Sequence, residues 1–221
     1  MVEVQQRMQP IPVEIWTDGA RLGGDLTVPD QAQGLVLFAH GSGSSRHSPR
    51  NQSVAEALQQ AGLATLLLDL LIADEEAVDV YTRQYRFDLP LLARRLVGAT
   101  DWAAADPRGA ALPLGYFGAS TGAAAALLAA AERPERARAI VSRGGRPDLA
   151  AAALDRTLPP TLFLVGGYDT PVIALNQAAY ERLDANSRMM IIPRATHLFE
   201  EPGALEEVSR LAADWFRQHL V

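Results

Sequence analysis

This sequence predicts an α/β fold, a mostly parallel central sheet with helices on both faces, and three observations carry the expectation. Short, near-continuously apolar runs alternate with longer stretches of helical periodicity, the pattern of βαβ units whose strands are buried on both faces. With 221 residues, 48% of them hydrophobic, the chain can bury one substantial core, so a single domain over residues 1–221 is expected. Gly118-Ala119-Ser120-Thr121-Gly122 lies between an apolar run and an alanine-rich helical run, as at a sharp strand-to-helix turn.

In chain order, Val13–Trp16 and Leu22–Val28, around Asp18-Gly19, read as an antiparallel edge hairpin, because Asp-Gly supplies the positive φ such turns demand. The strands expected after it are Leu35–Ala39, Thr65–Leu68, Leu112–Phe117, Ala139–Val141, Leu162–Val165 and Met189–Ile192. Between them, Ser48-Pro49 opens a helix with Val54 and Leu58 inward and Gly62 as its stop,. Asp88 caps a helix carrying Leu91, Leu92, Leu96 and Val97, and a last helix from about Gly203 turns Leu205, Val208, Leu211, Ala212 and Trp215 to one side,. Residues 72–87 read as a polar surface loop with a helical turn, and Glu200 and Glu201 as the opening of the last helix,. Between Val141 and Thr161 there is room for little more than a short helix, 148–154. No large lid is therefore expected there, and the site should be open.

Composition narrows the chemistry. The net charge is -6 and the arginines are scattered, so no basic face awaits nucleic acid. Without cysteine there is no disulfide, thiolate cluster or cysteine nucleophile, and without lysine no Schiff base,. No metal-ligand spacing, phosphate loop or dinucleotide fingerprint stands out, and no cofactor or metal is expected. The N-terminus lacks a signal pattern, and no apolar run approaches the ~20 residues of a membrane span; a cytoplasmic protein, without membrane partners, is the expectation.

A serine hydroxyl needs a base, and the base an orienting group. Of the four histidines, His219 ends the last helix and His47 lies in a polar loop. His40 follows an apolar strand and opens His40-Gly41-Ser42-Gly43. His197 follows the last apolar strand and comes after both Ser120 and an acid at a strand end, Asp169 in Gly166-Gly167-Tyr168-Asp169, giving the order serine, acid, histidine. The competing acids Asp148, Asp155 and Asp184 sit in helical patterns, where caps or solvated faces explain them,. Ser120 is thus the candidate nucleophile, His197 the base and Asp169 its orienter. The plainer alternative for His197 is a loop histidine bonded to backbone.

An oxyanion needs positioned N–H donors, each worth ~2.7–4 kcal/mol in the transition state. Thr121, at a helix start, and Ser42, after the first buried strand, are the candidates,. His40, Gly41 and Gly43 would border the substrate, unless the segment is only a glycine-serine turn. Arg143 and Arg146 leave the sheet at its ligand-binding edge,, where either could hold a substrate carboxylate or simply pair with Asp148 or Glu201.

Together, His40 to Ser45, the Gly118–Gly122 elbow, Gly166 to Asp169, and Ala195-Thr196-His197-Leu198-Phe199 resemble the α/β-hydrolase superfamily, within it the small, lidless dienelactone-hydrolase-like branch. The resemblance runs from about Leu22 to Leu220. It implies an α/β-hydrolase fold, a Ser120, His197, Asp169 triad and hydrolysis through an acyl-enzyme. Dienelactone hydrolase itself looks to a cysteine nucleophile, where this chain has Ser120; that favours a general carboxylesterase over a dienelactone substrate.

The leading expectation is a serine hydrolase of small carboxylic esters, lactones or thioesters, monomeric or a small homo-oligomer, with a small-molecule ester as partner. A peptidase or amidase on the same residues, and a catalytically silent binding protein on a hydrolase scaffold, are the alternatives.

Overall fold

The computed structural model describes residues 8–221. Eight strands form one sheet, β1 (Ile11–Thr17), β2 (Ala20–Thr27), β3 (Leu35–Ala39), β4 (Ala64–Leu68), β5 (Leu114–Ala119), β6 (Ala137–Arg143), β7 (Thr161–Gly166) and β8 (Arg188–Ile192). Their spatial order is β1-β2-β4-β3-β5-β6-β7-β8. β1 and β2 form the expected hairpin and β2 joins β4 antiparallel, while every other neighbouring pair is parallel.

Among the described residues, five helices lie between strands, α1 (Pro49–Gln60), α2 (Ala73–Thr82), α3 (Leu89–Ala105), α4 (Thr121–Glu132) and α5 (Thr170–Tyr180), and α6 (Ala204–Leu220) follows the last. Strand alternation divides the core. In β3, Leu35, Leu37 and Ala39 join the layer containing Leu92 and Leu96 of α3 and Leu127 of α4. Val36 and Phe38 face the layer built with Val54 and Leu58 of α1 and Val208 and Trp215 of α6. Both faces of the inner strands β3 to β7 are therefore dry, as their continuous apolar runs require; the edge strand β8 departs from that expectation, with Met190 and Ile191 exposed because among the described residues no further strand or helix covers them.

The local stops and starts follow side-chain chemistry. Ser48 accepts the Asn51 N–H and Asp88 the Leu91 N–H, each satisfying a first-turn donor of its helix,. Two expectations are corrected and one is narrowed. The short helix expected over 148–154 is a 3₁₀ turn, Pro147–Ala150, followed by further turns. Residues 72–87 contain the ten-residue helix α2, which Arg83 ends at φ 58°. The last helix starts at Ala204 behind Gly203 at φ 82°, so Glu200 and Glu201 lie outside its first turn.

The strand order reverses around β3: the chain passes from β3 to β4 on one side and returns to β5 on the other. Loops leaving β3 and β5 at their carboxyl ends consequently diverge, opening the crevice in which open α/β sheets place ligands. Residues 40–45 and Ser120 lie in these two loops.

Candidate active site

Ser120 stands between β5 and α4 with φ 51° and ψ -118°, a region that glycine occupies far more readily than serine. Its N–H donates to the Arg143 carbonyl at 3.1 Å, and its carbonyl accepts the N–H groups of Ala123 and Arg146, each at 3.1 Å. The neighbouring glycines leave the space this requires. A Cβ on Gly118 would lie 2.4 Å from Ala123 Cα, and one on Gly122 would lie 2.1 Å from the Ala39 carbonyl oxygen.

Asp169 follows β7 and His197 follows β8. The two loops are stitched together by N–H donation from Gly167 to Ile192 O and from Tyr168 to Ala195 O, each at 2.9 Å. Across them, His197 Nδ1–H donates to Asp169 Oδ2 at 2.6 Å. The carboxylate is mostly covered, 13% exposed, and the imidazole is 39% exposed: the acid is held in a drier place than the ring it orients. Gly144, at φ 51°, passes beside that ring, where a Cβ would lie 3.4 Å from His197 Nδ1 and Cε1. Turn 143–146 thus holds the serine backbone on one side and meets the histidine on the other. Among the described residues no hydrogen bond joins Ser120 Oγ to His197; in sites without substrate this contact is commonly long.

Two residues that sequence reasoning assigned to the last helix brace the histidine loop instead. Glu201 accepts the Thr196 N–H at 3.0 Å, and Glu200 pairs with Arg50 of α1 at 3.1 Å. The αL residue Gly203, so close behind them, was the signal that they precede the helix,.

The loop after β3 runs along the elbow. Gly41 approaches so closely that a Cβ there would lie 3.2 Å from Ser120 Cβ, while Ser42 and Gly43 are exposed. Thr121 opens α4, where first-turn N–H groups have no intrahelical acceptor,. His40 is buried: Nδ1–H donates to Gly41 O at 2.9 Å and Nε2 accepts the Leu70 N–H at 3.0 Å. Burial pushes its pKa below the usual 6.5, outweighing the Gly41 hydrogen bond and the Asp69 charge. It is a neutral tie between the loops after β3 and β4.

A cavity of about 250 Å³ lies between this loop and α2, reaching Ser42, Gly43 and Thr121 on one side and Glu76, Val80 and Arg86 on the other. Helix α2 falls in the segment that reads as a polar surface loop. Its charged surface resembles a loop, yet three acids in its first turn, Asp74, Glu75 and Glu76, were a legible helix-start signal.

Neither Arg143 nor Arg146 lines that cavity. Arg146 pairs with Asp148 through bonds of 2.8 and 2.7 Å. Arg143 is buried over the Phe117 ring, 6.0 Å from its centroid, and among the described residues its Nη1 has no hydrogen-bond partner. Burial, and then the charge of Arg50, push its pKa down to about 10. Among the described residues no cluster of three or more His, Cys, Asp and Glu side chains could hold a metal ion, and no helix is long and apolar enough to cross a membrane.

No family model matches the chain. It is 59% identical to a dienelactone hydrolase from Anabaena variabilis, over 98% of this chain and 100% of that one, with a TM-score of 0.95. Est1E from Butyrivibrio proteoclasticus superposes with a TM-score of 0.77 at 18% identity, over 94% of this chain and 98% of the other. The esterase domain of a Rhodothermus marinus protein superposes at 0.75 with 19% identity, over 97% and 100%. These two share the fold. A Mycobacterium tuberculosis protein named "Putative phosphoribosyl transferase" is 53% identical over 218 residues, 99% of this chain and 46% of that protein. The chain spans about half the length of the curated relatives it matches.

Proposed function

The chain belongs to the dienelactone hydrolase family of α/β-hydrolases, and on that premise we propose that it is a serine hydrolase of small carboxylic esters, working through an acyl-enzyme on Ser120. One observation carries the reading: a serine in glycine-like backbone geometry at the strand-to-helix turn, on the same sheet edge as a histidine bonded to a carboxylate at 2.6 Å. Backbone strain of this kind costs about 1–3 kcal/mol and persists where the surroundings over-determine it.

Ser120 Oγ attacks the carbonyl carbon and its proton passes to His197 Nε2. Asp169, accepting from Nδ1–H, holds the tautomer that leaves Nε2 free as acceptor and stabilises the imidazolium that forms,. The tetrahedral oxyanion receives N–H bonds from Thr121 and Ser42. His197 then returns the proton to the leaving alcohol, the acyl group stays on Ser120, and water repeats the two steps to release the acid. Lactones and thioesters present the same carbonyl and belong to the same chemistry.

The name carried by the Mycobacterium tuberculosis relative belongs to a protein about twice this length, and no phosphate-cradling loop in this sequence argues for carrying it over.

The test is the intact mass of the protein after exposure to a fluorophosphonate, with Ser120→Ala alongside. A single adduct on the parent that is absent from the variant is expected, followed by turnover of an ester in preference to its matching anilide. An adduct retained in Ser120→Ala would overturn the assignment of the nucleophile, and no adduct on either would favour a silent hydrolase-fold binding protein.

A further inference from the structure

The cavity beside the elbow carries two groups whose hydrogen-bonding capacity is unused. The first is the Thr121 hydroxyl: the residue is 3% exposed, lines the cavity, and its Oγ1 has no hydrogen-bond partner among the described residues. A buried hydroxyl left so is destabilising, and one next to the nucleophile is placed to meet an ester oxygen. The second is the Glu76 carboxylate, on the α2 side.

The acids around Glu76 are all engaged. Asp79 accepts the Arg86 guanidinium at 2.5 Å and the N–H groups of Tyr85 and Arg86 at 2.7 and 3.1 Å. Asp69 pairs with Arg46 and accepts its N–H at 2.7 Å. Glu75 is held by Arg95. Glu76 alone of this group has neither a hydrogen bond nor an ion pair among the described residues. Burial, with the charges of Asp69 and Asp79 behind it and Arg46 only partly opposing, makes its own charge costly, which pushes its pKa up. A cation arriving in the cavity would relieve that cost.

The remaining walls select the kind of cation. Beside the polar 40–45 loop and the mutually paired Asp79 and Arg86, the lining includes Leu70, Leu71, Val80 and Leu92, aliphatic surface that suits the methyl groups of an alkylated ammonium better than a fully hydrated ion.

We propose that this cavity is the subsite for an ammonium group carried by the ester substrate, that Glu76 is its specificity-determining carboxylate, and that the Thr121 hydroxyl meets the ester end. The inference rests on the ester-hydrolase reading above. The cation stands within a cavity's length of the scissile bond, and either the acyl or the alcohol portion of the substrate can carry it.

The experiment compares kcat/KM for two matched pairs: choline butyrate against neohexyl butyrate, and the phenyl ester of γ-trimethylammoniobutyrate against its neutral carbon isostere. In at least one pair the cationic ester should be favoured about tenfold, as one close charge pair in a partly dry site allows, and Glu76→Gln should erase that ratio. Equal turnover within both pairs, or a preference that survives Glu76→Gln, overturns the subsite while hydrolysis of the neutral esters leaves the ester reading intact. No turnover of any ester together with no fluorophosphonate adduct overturns both. A second measurement needs no variant: choline should inhibit neutral-ester hydrolysis competitively at a concentration about tenfold below neohexanol, and equal inhibition counts against the proposal.

Discussion

Arg95 grips Glu75 with both ends of its guanidinium, Nη1 to Oε2 and Nη2 to Oε1, each at 2.5 Å, and with Nη1 also reaches the Leu70 carbonyl at 2.7 Å. The arginine side chain is 2% exposed. One buried cation therefore ties α3 to α2 and to the loop after β4, and so fixes the cavity wall that bears Glu76.

Removing half of that pair should be worse than removing both. Glu75→Gln leaves Arg95 buried without a counter-charge and is expected to cost about 3 kcal/mol or more, whereas Glu75→Gln with Arg95→Met should recover much of the loss, read by denaturant unfolding. Burial raises the Glu75 pKa, but the Arg95 hydrogen bonds, the Ile72 N–H and the Arg95 charge together carry it below the usual 4.5. The unfolded chain then binds the proton more readily. The pair's contribution is full above pH 4.5 and is lost as pH falls toward the folded pKa,.

The geometry of Ser120 predicts an inverted glycine effect. At ordinary positions glycine is less stable than alanine, but at φ 51° and ψ -118° the Cβ is the source of strain. Ser120→Gly should be more stable than Ser120→Ala by about 1 kcal/mol, with both inactive. If the alanine variant is as stable as the glycine variant in thermal unfolding, the elbow is not strained.

Asp169→Asn tests the orienting role apart from the fold. With its partner turned into an amide, His197 loses the preference for a proton on Nδ1, and kcat/KM for a neutral ester should fall about 10³- to 10⁴-fold while the melting temperature stays close to the parent's. A fall below tenfold would mean that the 2.6 Å contact does not govern the base.

His40 should make stability pH-dependent on the acid side. Its folded pKa is below the usual 6.5, so between those two values the unfolded chain binds a proton that the folded chain refuses. Stability should decline as pH drops below about 6.5, by up to about 1.4 kcal/mol per pH unit. In His40→Gln that part of the slope should vanish, as measured by urea midpoints across pH 5–8.

The inner strands were legible because each is a short apolar run needing cover on both faces, and Leu35–Ala39 is a strand in the fold as read. Val54 with Leu58, and Val208 with Trp215, likewise mark the faces that α1 and α6 press on the sheet. Helix α2 was not legible in this way. Its hold on the molecule comes from Arg95, 20 positions beyond Glu75, and no local period announces a partner that distant. The partner of Glu200, Arg50, likewise lies 150 positions away.

By itself, the sequence determined the alternation of elements, the chain order of serine, acid and histidine, and the glycines around Ser120, because periodicity and conformational freedom belong to neighbouring residues. Only the tertiary structure decided which loops meet. The 2.6 Å contact of His197 with Asp169, the burial of Arg143 and the Glu76 carboxylate facing a cavity all depend on strand order. Strand order is settled by packing between residues far apart in the chain.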